Sequence, residues 1–171
     1  MIPETHENGT VDLYQAEQFP TKWRKVRTML GDIKAVDATL YHKEGKWWMF
    51  VSVAPKEGFS LNDELHLYFC DDFRTDAWQP HPCNPVVTDV TCARPAGHLI
   101  ESEGRLFRPG QNCSGVYGRG LVMNEIVELS ETGYRERVAQ QIRADFAEDL
   151  VAVHTFNRSE HFSVIDVIKS R

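Results

Sequence analysis

Two hydrophobicity patterns recur along this chain, and both are strand patterns. Over 64–70, Leu65, Leu67 and Phe69 alternate with His66, Tyr68 and Cys70. A period of two sends alternate side chains to opposite faces of a sheet. Over 46–53 the run KWWMFVSV is almost continuously apolar, as expected of a strand covered on both faces. Trp47 and Trp48 adjoin a turn, so they are assigned to core packing rather than to stacking on a sugar. Residues 23–30 carry apolar side chains at helical spacing (23, 26, 29 and 30), and 134–142 fits either an amphipathic helix or a strand. The repeat described next favours strands for both.

The stretch 93–118, ARPAGHLIESEGRLFRPGQNCSGVYG, reads as a β-hairpin: strand 96–101, turn 102–104, return strand 105–108. It recurs. Residues 38–50 lie over 97–109, with Glu44-Gly45-Lys46 falling on Glu103-Gly104-Arg105, and a weaker third copy spans 153–165. A hairpin-bearing repeat of roughly 58 residues points to propeller blades, each a four-stranded antiparallel sheet. Further strands are expected at 11–15, 64–70, 78–87, 121–129 and 134–142, and a last hairpin at 151–156 and 161–168. Three prolines within 78–85 make that strand an outer one. Residues 55–62 are expected as a loop and 71–76 as a turn. The expected fold is all-β, a partial propeller of about three blades. Its divisions are 1–35 (end of a preceding blade), 36–92, 93–147 and 148–171 (a partial blade).

In a propeller the innermost strand of each blade lines the channel, and the leading end of that strand faces the mouth. Those positions are Asp37, the segment Arg94-Pro95-Ala96, and Val153-His154. An acid, an arginine and a histidine then converge from three blades. The antiparallel hairpin also brings Arg94, Arg108 and Gln111 to the side away from its turn. Two guanidinium forks there suit an anionic or hydroxyl-rich ligand. The alternative is that the arginines pair with acidic loop residues of a fold that is acidic overall. The glycine-rich VYGRG at 116–120 implies that backbone passes close to something there.

Composition narrows the classes. The chain of 171 residues carries a net charge of −6, which argues against a nucleic-acid binder. No apolar run approaches ~20 residues, so no membrane span is expected. The N-terminus MIPETHENGT lacks the basic start and apolar core of a secretory signal. Cys70, Cys83, Cys92 and Cys113 form no CxxC pair, so a reducing, cytoplasmic setting is expected. The histidines and cysteines match no zinc spacing, and no glycine-rich phosphate loop opens a helix. No cofactor and no metal is expected.

The residues also carry a resemblance. The motifs are Val36-Asp37-Ala38-Thr39-Leu40, Gly45-Lys46-Trp47-Trp48-Met49-Phe50, Glu64-Leu65-His66-Leu67, and Trp78 with His81-Pro82 and Asn84-Pro85-Val86. They continue with Ala93-Arg94-Pro95-Ala96-Gly97, Arg108-Pro109 with Gln111, Tyr117-Gly118, Tyr134 with Glu136, and His154-Thr155 with Asn157. This set, from about residue 11 to 166, resembles the N-terminal domain of glucosamine inositolphosphorylceramide transferases and its bacterial relatives. That domain is similar to the five-bladed propellers of family 43 glycoside hydrolases. The resemblance implies that Asp37 sits where such a propeller holds an aspartate near the sugar. Where those hydrolases carry their general acid, this chain has Ala93-Arg94-Pro95 and no carboxylate. Hydrolysis needs two carboxyl groups about 5–10 Å apart across the scissile bond. His154 matches a family histidine near the channel.

The expected function is therefore a carbohydrate-recognising, non-hydrolytic propeller domain. It would bind a sugar or sugar phosphate through Arg94, Arg108, Gln111, Tyr117 and His154, with Asp37 the one catalytic candidate. The alternatives are an active glycosidase or glycosyl-transfer enzyme using Asp37 as base, and a scaffold whose mouth is plugged by its own side chains. A five-bladed ring needs roughly 290 residues at this repeat. Either the chain is a fragment of a longer protein, or two copies complete each other, or the short form covers its edges differently.

Overall fold

The computed structural model describes residues 1–56, 58–74 and 77–170. Residues 57, 75 and 76, within the loop expected over 55–62 and the turn expected over 71–76, lie outside the described residues. Among the described residues, thirteen strands and one short 3₁₀ turn, His6–Asn8, make up the regular structure. They form four open antiparallel sheets.

The first sheet pairs β1 (Thr10–Gln18) with β2 (Lys22–Gly31). The apolar residues of 23–30 thus lie on a strand, not a helix. The second sheet runs β3 (Ala35–Lys43), β4 (Lys46–Val53), β5 (Glu64–Cys70), then two short pieces, β6 (Gln79–Pro80) and β7 (Val87–Thr88), both paired with β5. The prolines break this outer strand in two because proline cannot donate to a ladder. In the third sheet β8 (Ile100–Ser102), β9 (Arg105–Asn112), β10 (Gly120–Leu129) and β11 (Tyr134–Arg143) lie in order. The last sheet is the hairpin of β12 (Leu150–Arg158) and β13 (Ser163–Lys169).

Three apolar clusters lie between successive sheets. Val11 and Met29 of the first sheet meet Met49, Val51 and Val53 of β4. Trp48 and Phe50, the alternate residues of β4, pack with Leu65, Leu67 and Phe69 against Ala93 and Ile126. Leu121 of the third sheet meets Val153 of the fourth, beside Ala96. The continuous apolar run of β4 follows directly: one alternation faces the first sheet, the other the third. Trp48 is buried in this core. No cluster joins the first sheet to the last among the described residues. The architecture is a stack of sheets, and none of them closes on itself.

The strand expected over 96–101 is interrupted. Ala96 donates to the Pro109 carbonyl and Gln111 to that of Arg94, yet regular pairing resumes only at Ile100 opposite Phe107. Between them the chain turns to the fourth sheet. The Ala96 carbonyl accepts from Phe156 N, and Asn157 Oδ1 accepts from His98 N. Gly97 permits this with φ of 131°, and a Cβ there would sit 2.2 Å from the Phe156 carbonyl oxygen.

Candidate functional site

Similar irregularities occur in the first strand of the second and fourth sheets. In β3, Val36 pairs with Ser52 and Thr39 with Phe50, so Asp37 and Ala38 together oppose one residue. In β12, Val153 pairs with Val167 and Phe156 with Ile165, so His154 and Thr155 together oppose Asp166. Bulges of this kind turn a side chain out of the regular pleat. Asp37 takes a left-handed φ of 56°, a conformation that aspartate tolerates better than most residues. At the fourth-sheet bulge, Asp166 Oδ1 accepts hydrogen bonds from both freed amides, His154 N and Thr155 N, and from Thr155 Oγ1.

The bulge at Asp37 and the interrupted strand at Arg94 meet. Arg94 Nε donates to Asp37 Oδ2 at 2.6 Å, and Gln111 Nε2 donates to the same oxygen at 3.2 Å and to the Pro95 carbonyl at 3.0 Å. Arg94 Nη1 donates to Asn62 Oδ1 at 2.9 Å. The guanidinium lies over the ring of Tyr117 at 5.1 Å, a cation–π distance. Tyr117 in turn stacks on His154, with ring centroids 4.5 Å apart and planes at 29°. His154 Nδ1 is 3.1 Å from Asp166 Oδ2. One continuous polar and aromatic chain therefore joins Asp37, Arg94, Tyr117, His154 and Asp166 across three sheets.

Gly118 fixes the far end of that chain. A Cβ at Gly118 would lie 2.5 Å from His154 Cδ2 and 2.6 Å from Nε2, and its φ is 72°. His154 Nε2 is buried without a hydrogen-bond partner, pressed against the glycine backbone. Here is the close approach expected of VYGRG. The histidine ring supports Tyr117 from beneath, whereas the tyrosine is half exposed.

Arg108 is elsewhere, which corrects its placement at the mouth. It is fully buried, with Nε and Nη2 forked onto Glu136 at 2.9 and 2.6 Å and Nη2 also donating to the Cys92 carbonyl at 2.9 Å. Tyr134 Oη donates to the same carboxylate. Arg108 and Gln111 are three residues apart on one strand, so the pleat sends them to opposite faces. No surface of Arg108 is left for a ligand to touch.

Burial pushes the Asp37 carboxyl above its ordinary value, against the pull of Arg94, and the charge of Glu4 adds to the rise. Glu4 and Asp37 share a cavity of about 100 Å³ with Ile2, Thr5 and Val11. At Asp166, burial raises the pKa, but the Thr155 amide and His154 outweigh it and leave the carboxyl below the usual range. Asn62, Asp166 and Glu4 escaped sequence reasoning. Each acts on a residue far away in the chain, and none has a local motif. Among the described residues no group of three or more acidic, histidine or cysteine side chains is placed to hold a metal ion. No helix among them is long and apolar enough to cross a membrane.

Curated relatives match most of this chain. The chain is 34% identical over 138 residues to glucosamine inositolphosphorylceramide transferase 1 of Oryza sativa subsp. japonica, covering 80% of this chain and 18% of that protein. To the protein of the same name from Arabidopsis thaliana it is 33% identical over the same length, again 80% of this chain and 18% of the relative. The matched region is thus less than a fifth of those proteins. No solved structure matches the chain. The family described as glucosamine inositolphosphorylceramide transferase 1, N-terminal, matches residues 1–169, and the chain belongs to it.

Proposed function

We propose that this chain is a carbohydrate-recognising domain, built as an open relative of the family 43 propeller, that works beside glycosyl transfer without classical hydrolysis. The observation that carries this reading is the mutual neutralisation of Asp37 and Arg94. Asp37 Oδ2 already accepts two hydrogen bonds, and Arg94 is committed to Asp37 and Asn62. The pair offers polar edges with little net charge, beside the exposed face of Tyr117. Such a site suits ring hydroxyls and the apolar face of a sugar. A second carboxylate, that of Glu4, lines a cavity with Asp37. The cavity that Asp37 shares with Glu4 is well below the roughly 300–1,000 Å³ of small-molecule sites. The relatives' name joins glucosamine to an inositolphosphoryl group, which makes both chemistries the probes of choice.

The test is a titration of the chain with glucosamine, N-acetylglucosamine and inositol phosphate, followed by heteronuclear NMR. Saturating shifts at residues around Arg94 and Tyr117 are expected for at least one probe. Tyr117→Ala should weaken that binding by about tenfold, the worth of a stacked ring. No saturable shift with any probe, or full affinity in Tyr117→Ala, sinks the proposal. A second reading, a transfer enzyme with Asp37 as base, is favoured by the raised carboxyl pKa, as a base working near neutrality requires. It predicts turnover that Asp37→Asn abolishes while sugar binding persists.

A further inference from the structure

The loop between β9 and β10 has a second outlook. It presents Tyr117 to Arg94 and His154, but it turns Ser114 and Arg119 toward a groove of about 570 Å³ at the ends of β9, β10 and β11. The local sequence builds that groove. Asn112 Oδ1 accepts from Ser114 N at 3.0 Å and from Ser114 Oγ at 2.6 Å, which turns the chain away from the sheet as β9 ends. Gly120 then opens β10 with no side chain to fill the floor, since a Cβ there would lie 2.6 Å from the Ile142 carbonyl oxygen. Gln141, Arg143 and Asp145, from the end of β11 and beyond, also line it.

The charges in this groove are uncommitted. Among the described residues neither Arg119 nor Arg143 has a carboxylate within ion-pair distance, although other surface arginines do, such as Arg137 with Glu125 at 2.8 Å. Arg119 makes only a long contact of 3.4 Å to the Ser114 carbonyl. Two guanidinium groups against the single carboxylate of Asp145 leave one positive charge in excess. The rim also carries Val116 and Val151, exposed by 60% and 51%. Guanidinium forks bind oxyanions bidentately, amide and carboxylate side chains take hydroxyls, and apolar rim residues cover the C–H face of a sugar ring. The volume falls within the range of small-ligand sites.

We infer that this groove is a binding site for an anionic sugar, one carrying a phosphate or a carboxylate, with Arg119 and Arg143 holding the oxyanion. The inference does not rest on the mouth reading, because it uses other residues on the far side of the loop.

The experiment is an amide-shift titration of the chain with glucose 6-phosphate, glucuronate, glucose and inorganic phosphate. Either anionic sugar should produce saturating shifts over 119–121 and 141–145, and the tighter of the two identifies the acid group. Glucose and inorganic phosphate should each bind at least about tenfold more weakly, lacking half of the recognised chemistry. The double variant Arg119→Gln with Arg143→Gln should weaken binding of the anionic sugar about tenfold or more, while Tyr117→Ala leaves it unchanged. Both arginines are exposed, and an unaltered spectrum away from the groove confirms that the variant is folded. Three results would each overturn the inference: no saturation with either anionic sugar, inorganic phosphate binding as tightly as both, or full affinity in the double variant. Failure here with intact binding at Tyr117 would leave the mouth reading standing, and the reverse result would leave this one standing.

Discussion

Glu136→Gln is the perturbation that most sharply separates a structural arginine from a ligand-binding one. Arg108 is fully buried, and Glu136 is its only anionic partner among the described residues, through contacts of 2.9 and 2.6 Å. Glutamine keeps the size and one acceptor but removes the charge. Arg108 retains the Cys92 and Ala93 carbonyls, which solvate but do not neutralise it. Breaking one side of a buried pair costs about 3–5 kcal/mol, and the retained acceptor places this variant near the lower figure. For a domain of this size that corresponds to a fall in Tm of roughly 6–12 °C. The double variant Arg108→Met with Glu136→Gln leaves no charge behind, keeps an acceptor for Tyr134 Oη and strands two backbone carbonyls. It should cost about 2 kcal/mol, less than the single change. Urea unfolding followed by fluorescence of the four tryptophans measures both. A Glu136→Gln cost under about 1 kcal/mol, or a double-variant cost equal to the sum of the singles, would refute the reasoning.

Three further outcomes follow from the same geometry. Gly118→Ala combines a left-handed backbone with a Cβ driven into the His154 ring, so a loss of about 2 kcal/mol or more is expected; near-neutral urea midpoints would contradict it. Trp48→Ala opens the core between the second and third sheets and should cost about 3–5 kcal/mol, measured in the same way. The Asp166 carboxyl lies below its ordinary value, so its contribution is present above the unfolded-chain pKa near 3.8 and is lost as pH falls through the lower folded value. Wild type should therefore exceed Asp166→Asn in stability at pH 6 and converge on it as pH falls through the lower folded value; a gap independent of pH would contradict the assignment.

Much of the strand order was legible because local chemistry and tertiary demand agree. Glu44-Gly45 and Glu103-Gly104 both take left-handed φ values, 53° and 79°, 52° and 73°, as a two-residue hairpin turn requires. The apolar run of β4 announced two covered faces. The proline-broken outer strand was readable for the reason that broke it. The interruption at 96–99 was not, because its cause is the distant β12, whose Phe156 amide and Asn157 side chain capture groups the hairpin would otherwise use. The misplacement of Arg108 was avoidable: counting three residues to Gln111 already assigns the two to opposite faces. The meeting of Asp37 with Arg94 rests on the internal repeat. Asn62 and Asp166 had no such guide, since a loop and a facing strand supply them.

The stacking of sheets has a consequence for how this molecule opens. Each apolar cluster couples only neighbours, so cooperativity passes along the stack as in a one-dimensional array. The second sheet is clamped from both sides, whereas the fourth is a lone hairpin held at one face through Val153, Phe156 and Ile165, and such hairpins are weak alone. Hydrogen exchange should consequently run fastest in β12 and β13 and slowest in β4 and β5. The cluster from Asp37 to Asp166 bridges this gradient, tying the most rigid sheet to the loosest. A ligand seated on Tyr117 would then act as a rivet, and its binding energy would be read out as slower exchange in the terminal hairpin, several residues beyond anything it touches.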